Sequence, residues 1–208
     1  MDETVARQKP SARDRLLELA ESSVLQKGFG ATSIDELVSG AGITKSGFFY
    51  HFKDKNDLAK ALLVRHFERD NVILDGIFGR ARELHDDPLH AFLIGLKLFA
   101  ETLDQMQEMH PGCLVASICY QERLFNREIR DLNAKGVLAW RVRFREYLDE
   151  IAARYPTRVD VDLDELADML STLVEGGIVM ARTLREPQIL AQQIMLYRVM
   201  VRAVFAGN

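Results

Sequence analysis

The 208-residue chain has few of the residues that interrupt or staple a fold. Five prolines and thirteen glycines are too few turn points for a strand-rich architecture, and their scarcity favours helices. The two cysteines, Cys113 and Cys119, cannot build a disulfide framework in a chain of this length. No run approaches the ~20 apolar residues that a membrane span requires. The opening MDETVARQKPSARDR has no apolar segment of a secretion signal. These absences set the expectation of a cytoplasmic protein without membrane contact. Catalytic signatures are missing too: there is no H-E-x-x-H, no G-x-S-x-G, no phosphate-binding glycine loop and no dinucleotide fingerprint. The expectation is a protein that is not an enzyme and needs no cofactor.

What is present is ordinary in bulk. Hydrophobic content of 48% beside 28% charged residues suits a globular chain that buries a real core. The net charge of −4 argues mildly against a polyanion partner, so its distribution matters more than its sum. Residues 1–60 hold nine Lys/Arg and nine Asp/Glu, and the rest of the chain holds the whole excess of acid. Charge alone decides nothing.

Apolar periodicity is helical throughout, and the predicted class is all-α. Ser11 is placed to cap a first helix that Gly28 or Gly30 ends. Ser33 followed by Glu36 forms a capping box for a second helix of about two turns, stopped by Gly40 and Gly42. A third short helix starts near Thr44, and Asp54 is placed to cap a fourth that runs past Val72. Longer patterns follow: one opening at Pro88, one running from Glu122 to Pro156, one capped by Asp162 or Asp164, and a last one opened by Pro187. Two helices of two turns are marginal alone. Packed on the first helix and joined by GAGIT, they form a helix-turn-helix, whose second helix enters a DNA major groove.

The stretch ITKSGFFYHFKDKNDL, residues 43–58, tests that reading. At 100° per residue Phe48 and Phe52 share one face and join Ile43 against the first two helices. Ser46 and Tyr50, with Gly47 beside them, face the opposite way, and Lys45, Phe49 and His51 lie on the flanks. Gly47 costs about 1 kcal/mol of helix propensity against alanine, which makes sense where something approaches the backbone closely. Lys55 adds a cation at the start of the next helix, where free N–H groups attract phosphate.

Residues 28–58, G-x-x-x-T-S-I-x-x-L-x-x-x-A-G-I-T-K-S-G-F-F-Y-H-F-K-D-K-x-x-L, resemble the DNA-binding domain of the tetracycline-repressor (TetR) family. The resemblance covers the N-terminal part of the chain, and the C-terminal part carries no motif of comparable strength. It implies a homodimeric transcriptional regulator that binds a palindromic double-stranded DNA operator, usually a repressor released by a small-molecule effector. It further implies that Thr32 and Ser33 contact phosphate, that Lys45, Ser46, Gly47, Phe49, Tyr50 and His51 face DNA, and that Lys55 takes a phosphate. Phe49 stands where the family most often has tyrosine, which removes one hydroxyl from the backbone contacts. The implied organisation is an arm over 1–10, a three-helix DNA-binding domain over 11–55 and a larger helical ligand-binding and dimerisation domain over 56–208.

In the C-terminal part, Phe92, Phe99, Met106, Cys113, Phe125, Trp140, Phe144 and Tyr147 are candidates to line an apolar cavity for an apolar or aromatic ligand. Each reads equally as plain core. Leu166, Leu170, Leu173, Gly177, Met180 and Leu184 form one apolar stripe, and Ile189, Leu196, Met200 and Val204 form another. Two such stripes from each of two chains make a four-helix dimer bundle, with Gly176 and Gly177 permitting close approach. No metal site is expected: His85, Asp86, Asp87 and His90 bracket Pro88 as a solvated connection. The acidic run from Asp160 to Asp168 suits a helix start. The competing function is a helical scaffold or adaptor without sequence-selective DNA binding.

Overall fold

The structure, a computed structural model, describes residues 10–105 and 110–206; the expected cavity residue Met106 lies outside them. Among the described residues there are nine α-helices and no strand: α1 Ala12–Lys27, α2 Ile34–Ala41, α3 Lys45–His51, α4 Lys55–Leu84, α5 Pro88–Asp104, α6 Leu114–Tyr120, α7 Arg127–Arg154, α8 Leu163–Leu184 and α9 Gln188–Phe205. The fold is all-α.

The helix starts follow the side-chain chemistry. Ser11, Ser33, Thr44 and Asp54 each accept the backbone N–H three residues on, which opens α1 to α4. Asp87 does the same for α5, with Pro88 in the first turn, and Asp162 caps α8. Each such cap contributes about 0.5–2 kcal/mol, which matters most for α2 and α3, too short to persist alone. One start differs from the periodicity. The helical pattern beginning at Glu122 is broken into a single 3-10 turn, Glu122–Leu124, before α7 begins at Arg127. Asn126 caps α7 by accepting the Ile129 N–H at 3.1 Å, and the break turns Phe125 inward.

Two apolar cores result. The first gathers Leu16, Leu17, Ala20 and Val24 of α1, Leu37 and Val38 of α2, Phe48 and Phe52, and Leu58, Leu62 and Leu63 of α4. It is completed from far along the chain by Leu114, Ile118, Phe125 and Ile129. The second joins α5, α7, α8 and α9 with Leu74 and Phe78 of α4. At its centre Phe78 stacks on Phe92 at 5.7 Å and meets Phe144 edge-on at 5.8 Å, and Tyr147 lies 5.5 Å from Phe92. The Tyr197 hydroxyl, buried with its ring, donates to the Leu166 carbonyl at 2.9 Å and ties α9 to α8.

Glycine marks the closest approaches. A methyl group on Gly136 of α7 would overlap the Phe67 ring of α4, and one on Gly177 of α8 would touch the Leu190 backbone of α9 at 3.2 Å. Gly76, on the outer side of α4, has no atom within 4 Å of such a methyl. Gly136→Ala is therefore expected to lower stability by about 1–3 kcal/mol through overpacking. Gly76→Ala is expected to raise it by up to about 1 kcal/mol by improving helix propensity. Urea unfolding of the two variants, followed by far-ultraviolet circular dichroism, reads both signs.

Candidate nucleic-acid interface

The geometry of the first core decides which side chains of the 43–58 stretch reach the surface. Phe48 is fully buried and Phe52, the residue ending α3, is 1% exposed, their rings 5.6 Å apart. Gly42 adopts φ +65° at the end of α2, a left-handed conformation that glycine takes without a Cβ penalty. Its turn delivers Thr44 to cap α3. With the Phe48–Phe52 face held inward, Lys45, Ser46, Phe49 and Tyr50 point outward, Tyr50 most of all at 85% exposed. His51 is half-buried beside Tyr50, ring centres 5.1 Å apart. Gly47 is half-buried as well, and a methyl there would lie 3.5 Å from the Ile43 side chain in ordinary contact. Backbone crowding within the chain does not require that glycine.

The structure does not bring Thr32 to this surface. Its side chain is buried: the hydroxyl donates to the Gly28 carbonyl at 3.0 Å and lies 2.9 Å from the Ser23 hydroxyl. The expected phosphate contact by its hydroxyl is corrected accordingly, because that group is already satisfied inside the α1–α2 turn. Ser33 is exposed, with its oxygen capping α2. Lys55 is half-buried, and its ammonium donates to the carbonyls of Thr32 at 2.7 Å and Phe29 at 3.0 Å while lying 4.7 Å from the centre of the Phe29 ring. Burial lowers its pKa below the ordinary lysine value. Lys55 therefore ties the start of α4 to the α1–α2 turn. Lys45 pairs with Asp35 at 3.0 Å across an exposed surface. Such pairs are worth little and release readily.

Two residues went unnoticed in the sequence. Lys53 is exposed at the end of α3 and makes no ion pair among the described residues. No sequence signal separates it from Lys55, two positions on. Gln121, which follows α6, accepts the Gly30 N–H at 2.9 Å and packs its amide where a side chain on Gly28 would stand. With Phe125 against Phe29 at 4.7 Å, it clamps the α1–α2 turn from the C-terminal half of the chain.

The other residue sets are redistributed. Phe92, Phe99 and Phe144 are packed in the second core, with Trp140 and Tyr147 against it, while Phe125 belongs to the first core. These aromatic rings do not line one apolar cavity, because they stack on each other or lie in different cores. Tyr147 alone of the set borders a surface groove of about 470 Å³, between α4 and α7 with Arg82, Arg143 and Glu150. Cys113 caps α6 with its sulfur, and burial pushes its thiol up to about 12. That shift disfavours the thiolate form on which cysteine reactivity depends. On α8, Leu170 is buried in its own chain's core and Leu173 packs against that core. Gly177 serves the α8–α9 contact within one chain, which corrects the expectation that it serves contact between two. Gly176 faces open space. Val179, Met180 and Leu184 of α8 and Leu196, Val199 and Met200 of α9 are exposed.

Residues 16–62 match the model of the bacterial regulatory proteins of the tetR family. Over those residues the chain is similar to the DNA-binding part of that family. It is 31% identical over 111 residues to the HTH-type transcriptional repressor KstR2 of Mycobacterium tuberculosis. That match takes in 53% of this chain and spans about half the length of the relative, 52%. The HTH-type transcriptional repressor NemR of Escherichia coli is 26% identical over 132 residues, covering 61% of this chain and 63% of that protein. The crystal structure of reduced E. coli NemR superposes with a TM-score of 0.74 at 19% identity, over 95% of this chain and 98% of that one. A TetR-family regulator from Agrobacterium tumefaciens gives 0.74 at 17% identity, over 94% and 98%. At such identities these two structures establish the fold alone, and they establish it over nearly the whole chain.

Separation of core from surface in α3 is directly measurable. Phe48→Ala is expected to cost about 3–5 kcal/mol of stability, while Tyr50→Ala stays within about 0.5 kcal/mol of the parent. A Tyr50→Ala protein melting well below the parent in differential scanning calorimetry would place Tyr50 in the core.

Proposed function

We propose that the protein is a DNA-binding transcriptional regulator, a repressor that binds a palindromic operator as a homodimer and responds to a small-molecule effector. The observation that carries the reading is α3 itself. A seven-residue helix is held by two buried phenylalanines so that Lys45, Ser46, Phe49 and Tyr50 face solvent, next to Lys53, which makes no ion pair among the described residues. Side chains of this kind read base edges and phosphates from a major groove, and the family that residues 16–62 resemble supports the assignment. Residues 11–55 form the reading module and residues 56–208 the regulatory and dimerisation part, with α4 running from one into the other. Ser33, Gly47 and His51 border the same face, and Lys55 anchors the turn beneath it. No catalytic step is assigned to any residue.

The positive charge offered to phosphate is Lys53 before Lys55, because the Lys55 ammonium is already bound to two carbonyls. A gel shift on the DNA flanking the protein's own gene tests the whole reading, and no sequence-selective complex is the outcome that favours an adaptor. With that complex in hand, Lys53→Ala is expected to weaken binding to all sequences and to flatten the salt dependence by about one unit.

A second copy of the chain is the proposed cover for the exposed apolar side chains of α8 and α9. A twofold axis then presents two α3 helices to two half-sites. Val199→Asp, at a position 57% exposed, is expected to leave the fold intact, to shift the protein toward monomer in analytical ultracentrifugation and to weaken operator binding. Gly177→Leu is expected instead to destabilise the single chain, since its neighbour is Leu190 of the same molecule.

A further inference from the structure

A carboxylate stands beside the proposed DNA-reading helix. Asp35 and Glu36 are neighbours in the first turn of α2, yet they turn to different partners. Glu36 points back to α1 and pairs with Lys27 at 2.5 Å. Asp35 points across to α3, where the Lys45 ammonium lies 3.0 Å from Oδ1 and 3.4 Å from Oδ2. Lys45 is the first residue of α3, and the N-terminal residues of a recognition helix are those that meet base edges. The Lys45 and Asp35 side chains are 58% and 75% exposed. A pair so exposed adds little to stability. The α2 dipole favours an acid in its first turn, a need that Glu36 also meets. An acid on a surface that approaches a polyanion works against binding, and a phosphate offers it no donor.

Base edges do offer one. In the major groove cytosine presents the amino group N4 as a donor, and its guanine partner presents the acceptors O6 and N7. N4 and O6 are hydrogen-bonded to each other, about 3 Å apart. The Lys45 ammonium and the Asp35 carboxylate hold the same spacing with opposite polarity. With the ammonium on O6, the carboxylate falls on N4 and guanine N7 lies on the ammonium side. An A·T pair has a similar donor and acceptor, N6 and O4, but the wrong flanks. Adenine N7, an acceptor, then lies beside the carboxylate, and the thymine methyl lies beside the ammonium.

We infer that Asp35 and Lys45 act as one unit that reads a single C·G base pair in each half-site, Asp35 accepting from cytosine N4 and Lys45 donating to guanine O6 and N7. This assignment rests on the regulator reading above and adds to it one base pair of the target. The bond between the two side chains serves before DNA arrives as well. It holds the flexible Lys45 stem near the orientation in which it binds, so less freedom is lost on binding. Because their charges cancel, the two residues supply selectivity, and attraction to phosphate is left to Lys53.

The test is selection of bound duplexes from a randomised DNA library by the full-length protein, followed by titration of the recovered site. The site is expected to hold a C·G pair at one fixed position of each half-site, and changing that pair is expected to weaken binding about fivefold or more. Asp35→Ala and Lys45→Ala are each expected to bind all four choices at that position within about twofold of one another, with preferences at other positions unchanged. Replacing its guanine by 7-deazaguanine, which removes N7 and keeps the base pairing, is expected to weaken the parent and leave Lys45→Ala unaffected. Both variants are expected to melt with the parent, and a marked fall in either makes the pair a support of the fold and overturns the inference. So does an Asp35→Ala protein that keeps the preference while binding every sequence more tightly, since Asp35 is then only a repelling charge. Variants that relax different base pairs overturn it too. A recovered site without this C·G dependence defeats the inference alone, whereas a selection that recovers no site defeats the regulator reading and this one with it.

Discussion

A seven-residue helix has too few internal hydrogen bonds to persist in water, so the outward face of α3 depends on the burial of Phe48 and Phe52. Those two rings lock the phase of the helix. Once they are inside, Tyr50 has no direction left but outward, and Lys45, Ser46 and Phe49 are arranged around it. The same burial fixes the Gly42 turn and the angle at which α2 meets α3. Every property of the proposed DNA-reading surface follows from this one anchoring.

The anchoring core is not built from the N-terminal helices alone. Leu114, Ile118, Phe125 and Ile129 close it from the opposite half of the sequence, and Gln121 bonds to the turn between α1 and α2. A change of position in α6 or in the 3-10 turn is therefore felt at the beginning of α2 through direct contact. The continuous α4 supplies a second connection, with Leu58 and Leu62 in one core and Leu74 and Phe78 in the other. Coupling between sites requires such packed elements with two arrangements.

Where tertiary contacts overrode local patterns, the reasons are physical. The helical periodicity from Glu122 onward is real, but Phe125 gains more by entering the first core than by continuing the helix, and Asn126 supplies a fresh cap. The α8 stripe of Leu170 and Gly177 is apolar because it packs within the same chain; the exposed surface of α8 lies one step round the helix, at Gly176, Val179 and Met180. The C-terminal aromatic residues have the composition of a cavity lining, yet they fill space against each other. Composition does not distinguish a packed ring from one that borders a void.

By itself the sequence determined the all-α class, the capped starts of most helices, the helix-turn-helix and its outward face. Each of these is local: a cap, a glycine stop or a 100° periodicity acts within a few residues, and residues 28–58 hold enough of them to define one module. Only the tertiary structure decided that the Thr32 hydroxyl is buried, that Lys55 is spent on carbonyls while Lys53 makes no ion pair among the described residues, and that Gly177 faces its own chain. Those are outcomes of which helix packs on which, and contacts between different helices leave no periodicity in the chain that makes them.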